Sequence, residues 1–111
     1  MPVKSGTLGG GNLAAGAEVM AYECQAPATA ATATVSFCNK TGGNVRVRLA
    51  IGPGPDTKAP GTVFLEYDAP MEPNEPLERT GIAVSVGRKI FVRSDKAEVD
   101  YYISGYEKEA I

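Results

Sequence analysis

Histidine and tryptophan are both absent from this chain of 111 residues, and cysteine occurs only twice. Without histidine, the commonest general base and the commonest metal ligand are missing together. Neither a Ser-His-Asp nor a Cys-His arrangement can form within one chain. Cys24 and Cys38 alone fall short of the four ligands that a structural zinc takes. No apolar run approaches the length needed to span a bilayer. There is no polybasic run, and the net charge is −2, so neither a nucleic-acid partner nor an anionic membrane surface is expected. The opening Met-Pro-Val-Lys-Ser-Gly-Thr-Leu lacks the apolar centre of a secretion signal. Synthesis in a cytoplasm is therefore expected, with both cysteines as half-buried free thiols and a disulfide between them as the alternative.

What is present is alternation. In Asn44–Ile51, Val45, Val47, Leu49 and Ile51 fall on one side of an extended chain, and Asn44, Arg46, Arg48 and Ala50 on the other. A period of two is that of a half-buried antiparallel strand. The same grammar recurs at 17–23, 32–39, 62–68, 77–80, 82–86, 89–93 and 98–106, with turn residues about every ten positions. Asn39 to Gly43 reads as a hairpin connection into the Asn44–Ile51 strand. Gly81 marks a bend or bulge, and the prolines between Ala69 and Pro76 mark a crossing between sheets or a run along an edge. The expectation is an all-β domain, an antiparallel β-sandwich or jelly-roll-like barrel of seven to eight short strands. Val35, Phe37, Val45, Val47, Leu49, Leu65, Ile82, Val84, Ile90, Val92, Val99 and Ile103 should lie mostly inside it.

Residues 1–16 are rich in glycine and alanine around Gly9-Gly10-Gly11. They read as a flexible arm, either ordering on a neighbouring subunit or frayed. The sandwich proper is expected over 17–107, with a short tail at 108–111. The connection 52–61, dense in Pro and Gly, reads as mobile until it meets a neighbour.

Little here suggests chemistry. The glycine run has neither the Lys-Ser/Thr ending of a phosphate loop nor a strand before it. Glu66 and Asp68 alternate onto one strand face, and Glu72 and Glu75 sit near prolines. A glycosidase would set such pairs across a cleft beside aromatics. Here they read as solvent-facing charge that pairs with Arg46, Arg48 or Arg93. Asp56, Asp68 and Asp95 lack the regular spacing of a calcium loop. No enzyme activity, metal or cofactor is expected. Candidate interface residues are Arg46 and Arg48 on the wet strand face, Pro53 and Pro55 in the long loop, and Tyr102 and Tyr106 near the C-terminus. Tyr101 is expected in the core, whereas for Tyr102 and Tyr106 a contact patch and a covered sheet face remain open.

Five stretches come in a telling order. They are Val-Ser-Phe-Cys-Asn at 35–39, Val-Arg-Val-Arg-Leu-Ala-Ile at 45–51, Phe-Leu-Glu-Tyr-Asp at 64–68, Leu-Glu-Arg-Thr-Gly-Ile at 77–82 and Gly-Arg-Lys-Ile-Phe-Val-Arg-Ser at 87–94. Val-Asp-Tyr-Tyr-Ile-Ser-Gly-Tyr-Glu at 99–107 closes the series. Over residues 17–107 this progression resembles the small β-sandwich virion proteins of tailed bacteriophages. The resemblance implies a structural part of the particle, made in the host cytoplasm. Its partners would be copies of itself or other capsid, neck or tail proteins, in a collar, head decoration or fibre attachment. It transfers no catalytic residues. A carbohydrate- or receptor-binding sandwich that uses its long loops is the alternative reading.

Overall fold

The computed structural model describes residues 5–109. Over them run eight strands: β1 (Ser5–Leu13), β2 (Glu18–Glu23), β3 (Ala28–Asn39), β4 (Val45–Gly52), β5 (Val63–Met71), β6 (Pro76–Ser85), β7 (Lys89–Ser94) and β8 (Val99–Glu109). They pair as two four-stranded antiparallel sheets. Sheet A has the order β1-β8-β3-β6 and sheet B the order β2-β7-β4-β5. Except for β4 and β5, strands consecutive in the chain alternate between the sheets. This is the connectivity of an eight-stranded jelly roll.

The alternating apolar positions meet between the sheets. Of the expected core, all but Leu65 are buried, and Leu65 packs partly exposed against the rest. Each such valine, leucine or isoleucine contributes about 1.5–3 kcal/mol on burial. Tyr101 packs at the margin of this core.

The segment read as a flexible arm is different over its described part. Residues 5–13 form β1, an edge strand paired with β8. Leu8 and Leu13 enter the core, and the glycines match aromatic neighbours, with Gly10 opposite Tyr102 and Gly11 opposite Tyr101. The rings lie directly over these positions: a Cβ on Gly10 would touch Tyr102 Cδ1 at 3.4 Å and one on Gly11 would touch Tyr101 Cε1 at 3.4 Å. Gly9 lets the two sheets approach, since its Cβ would meet the Ala21 carbonyl at 2.6 Å. Composition alone suggested entropy; pairing supplies the compensating contacts. Residues 1–4 of the arm and 110–111 of the tail lie outside the described residues, and Lys108 and Glu109 of the tail end β8.

The turn at 40–44 is not a hairpin, because β3 and β4 lie in different sheets. Asn39 directs the crossing. Its side chain is fully buried, and Nδ2 donates to the carbonyls of Gly43 and Glu72, both at 2.9 Å. Oδ1 accepts from the Thr41 backbone N–H and hydroxyl at 2.9 and 2.7 Å. A buried amide so fully satisfied fixes the path of two sheet crossings together. Ser94 anchors the β7–β8 crossing in the same manner, its hydroxyl donating to Lys96 O at 2.9 Å.

Bulges alter which face some residues occupy. In β2, Ala21 is an extra residue between Met20↔Phe91 and Tyr22↔Ile90, so Met20 stays exposed while Tyr22 turns inward. In the β4–β5 ladder two irregularities flank Leu49. They turn Tyr67 outward, which strict alternation would place inward with Leu65; Val63 stays opposite the core-packed Ile51 and is exposed at the start of the strand. The bend at Gly81 is present: Thr80 and Gly81 together oppose Thr34, with Gly81 at φ 69°.

Candidate functional site

The outer face of sheet B carries two rows of side chains in register. One row is apolar: Met20 of β2, Phe91 of β7, Ala50 of β4 and Phe64 of β5 are successive cross-strand partners. Ala50 and Phe91 are buried although they point away from the main core. The connection between β4 and β5, residues 53–62 in the structure and expected over 52–61 to be mobile, explains this by folding across the face. The Thr57 N–H and hydroxyl donate to the Glu18 carboxylate at 3.1 and 2.5 Å. Lys89 Nζ donates to Pro53 O at 3.1 Å. The loop thus spans from the β4–β5 corner to the far strand and forms a second small core.

The other row is charged. Glu18 is opposite Arg93, and Arg93 is opposite Arg48. Like charges directly opposed cost energy, and β5 supplies the compensation. Its bulge puts Asp68 at φ 52°, a left-handed conformation that aspartate tolerates better than most residues. There its carboxylate takes Arg48 Nε at 2.7 Å and Nη2 at 3.2 Å. The Arg48 hydrogen bond holds the Asp68 carboxyl below the usual carboxylate range, and Asp68 in turn raises Arg48. Arg48 also lies over the Tyr67 ring, 4.3 Å from its centroid, and Phe64 meets that ring edge-on at 5.0 Å. Tyr67 is 61% exposed yet braced on two sides. Arg46 donates to the Asp68 carbonyl at 3.1 Å. Among the described residues, neither Arg46 nor Arg93 has a carboxylate within 4 Å.

Glu66 and Asp68 do not share a face, as alternation suggested. The bulge separates them, and Glu66 instead pairs with Arg79 of β6 at 3.1 Å, tying the two sheets together along one side. Arg46 and Arg48 belong to the outer side of sheet B, and Pro53 and Pro55 to the connection that folds across it. Tyr102 and Tyr106 sit on the outer side of sheet A, so the expected interface residues form two opposite surfaces. Tyr102 and Tyr106 are about half exposed, and the Tyr102 hydroxyl bonds to that of Thr7. Gly10, Gly11, Asp100, Tyr101 and Tyr102 line an open depression of about 420 Å³. Asp100 is held ionised there by hydrogen bonds, first from Asn12 at 2.8 Å and then from Lys40.

One polar contact lies deeper. The Tyr22 hydroxyl donates to Glu107 at 2.5 Å, and burial together with that carboxylate raises the phenol well above its ordinary range. Burial likewise pushes the neighbouring Cys24 thiol up. Cys24 is buried, Cys38 is exposed, and both are free. No group of three or more His, Cys, Asp or Glu side chains suited to a metal occurs among the described residues. No helix among them is long and apolar enough to cross a membrane.

Sequence reasoning placed Arg46 and Arg48 on the outer face and named them among the partners of Asp68, as the Arg48–Asp68 pair shows, but it did not pick out Tyr67, Phe64 or the Phe91 mini-core. The only advance signal was the Tyr67-Asp68 pair itself, since aspartate suits a left-handed bulge position. Comparison with known proteins adds no relative: no family, no curated protein and no solved structure matches this chain.

Proposed function

We propose that the chain is a non-enzymatic structural subunit of a tailed-phage virion. It associates with copies of itself or docks on larger virion proteins, as a neck collar, head decoration or fibre attachment. The observation that carries this reading is the strand order of the two sheets, a jelly-roll arrangement recurrent in viral capsid domains. Fold serves here as analogy, and the ordered motif resemblance over residues 17–107 points the same way. The disposition of charge supports it further. Glu66 and Asp68, the carboxylates best placed in sequence for acid–base work, are each tied to an arginine. A particle subunit needs no chemistry, because weak contacts repeated by symmetry add up. Mass spectrometry of gradient-purified particles tests the reading. The protein should be recovered at a fixed ratio to the major capsid protein and should stay bound through salt washing.

One feature favours a second reading, a carbohydrate-binding module. Lectins share this architecture, and the Tyr101–Tyr102 depression offers an aromatic surface beside the Asp100 carboxylate. Glycan-array binding that is lost on Tyr102→Ala would support it.

A further inference from the structure

We propose that the Arg46–Arg93–Tyr67 face of sheet B receives the acidic β5–β6 turn of a second copy of this chain. This rests on the reading of the chain as a structural subunit and names the surface by which it self-associates. Arg48 and Arg93 oppose each other directly. The nearby carboxylates are already committed, that of Asp68 to Arg48 and that of Glu18 to Thr57. Arg46 and Arg93 therefore present guanidinium groups that no carboxylate among the described residues approaches within 4 Å. Beside them on the edge strand β5 stands Tyr67, exposed but braced by Arg48 and Phe64. A braced tyrosine on the same face as three arginines has the composition of an interface anchor, because little side-chain freedom is lost when it is covered.

The shape of the face selects a macromolecular occupant. The hollow among Glu18, Arg48, Phe64, Phe91 and Arg93 holds no volume large enough for a water molecule, so this part of the face offers a flat surface and no enclosure for a small ligand. Charge then selects the copy. The chain is acidic overall, and its β5–β6 turn carries Glu72 and Glu75, neither with a cation within 4 Å among the described residues. Glu72 is exposed, while Glu75 closes the turn by accepting the Glu72 N–H at 3.0 Å. The two patches are neighbours, since Arg46 pairs across the ladder with Pro70 and Val45 with Met71. Adjacent patches of opposite sign are self-complementary under a two-fold rotation, each copy giving its turn and receiving its partner's. The bulges of β5 keep this edge from simply extending the sheet into a neighbour, so contact runs through side chains.

The test is sedimentation velocity on four chains: the natural sequence, Arg46→Glu with Arg93→Glu, Glu72→Lys with Glu75→Gln, and all four changes together. The Glu75→Gln change keeps the side-chain acceptor that closes the turn. The natural chain should dimerise, and raising the salt from roughly 0.05 to 0.5 M should weaken the dimer at least about tenfold. Each charge-altered pair alone should sediment as a monomer with near-native thermal melting. Mixing the two pairs should restore a dimer, as should the chain carrying all four changes. A natural chain monomeric at every salt concentration overturns the proposal, as does a dimer indifferent to both sets of changes. Monomeric protein that is still recovered in purified particles would sink this interface and leave the virion reading standing. A salt-sensitive dimer absent from particles would do the reverse.

Discussion

At the scale of single residues, the Arg48–Asp68–Tyr67 cluster shows how one bulge makes a surface. Asp68 sits where only a residue tolerant of positive φ can sit, and its carboxylate then orders the arginine that orders the tyrosine. Asp68→Asn keeps the backbone preference and removes the charge, so it isolates the ion pair. Because the folded carboxyl titrates below its unfolded value, its stabilisation is present above the unfolded pKa of about 4. It is lost as pH falls through the depressed folded value. Urea titrations should show the natural chain more stable than Asp68→Asn near pH 7, with the gap closing at lower pH. A gap that persists unchanged into strong acid would mean that the carboxylate charge is not its source. The thiols make a second test at this scale. Cys38 should react with a thiol reagent in the native protein, and Cys24 only after unfolding, because Cys24 is buried and its pKa is raised. Two thiols that stay unreactive after denaturation without reductant would indicate a disulfide.

At the scale of elements, β1 and the 53–62 loop are where composition misleads. Deleting residues 2–13 removes Leu8, Leu13 and the strand that covers β8. It should therefore unfold or severely destabilise the domain, with Leu13→Ala alone costing about 2–5 kcal/mol. Cooperative melting unchanged by that truncation would return β1 to the status of a loose arm. Phe91→Ala should cost about 3–5 kcal/mol despite the residue's outward direction, because the loop buries it. A loss below about 1 kcal/mol would mean that the loop does not cover the face in solution. The strands β3, β4, β7 and β8 were legible because their inward apolar positions recur every second residue. Their register in opposite sheets was not, since the turn at 40–44 looks like a hairpin until the Asn39 side chain is seen bonding to Glu72 in a distant turn. The face assignment in β5 failed for a related reason. An extra residue in a ladder is a property of two strands together, and a single stretch of sequence does not display it. Likewise the glycines of β1 look entropic alone and become intelligible only against Tyr101 and Tyr102 of β8.

At the scale of the whole molecule, the chain is a slab of 48 × 29 × 19 Å, thin because two sheets pack face to face about 10 Å apart. Its two broad faces differ. One bears arginines, a braced tyrosine and a strapped loop; the other bears Tyr102 and Tyr106 about half exposed. A subunit with two dissimilar broad faces is suited to sit between copies of itself and a larger surface, as in a particle. The central claim is therefore one of place, and image reconstruction of purified particles by electron microscopy tests it most directly. The account predicts a two-sheet slab of these dimensions, repeated by the symmetry of the head, neck or tail, with a sheet face against its neighbours. Particles whose reconstructed density is complete without such a slab, with the protein left in the soluble fraction, would contradict it.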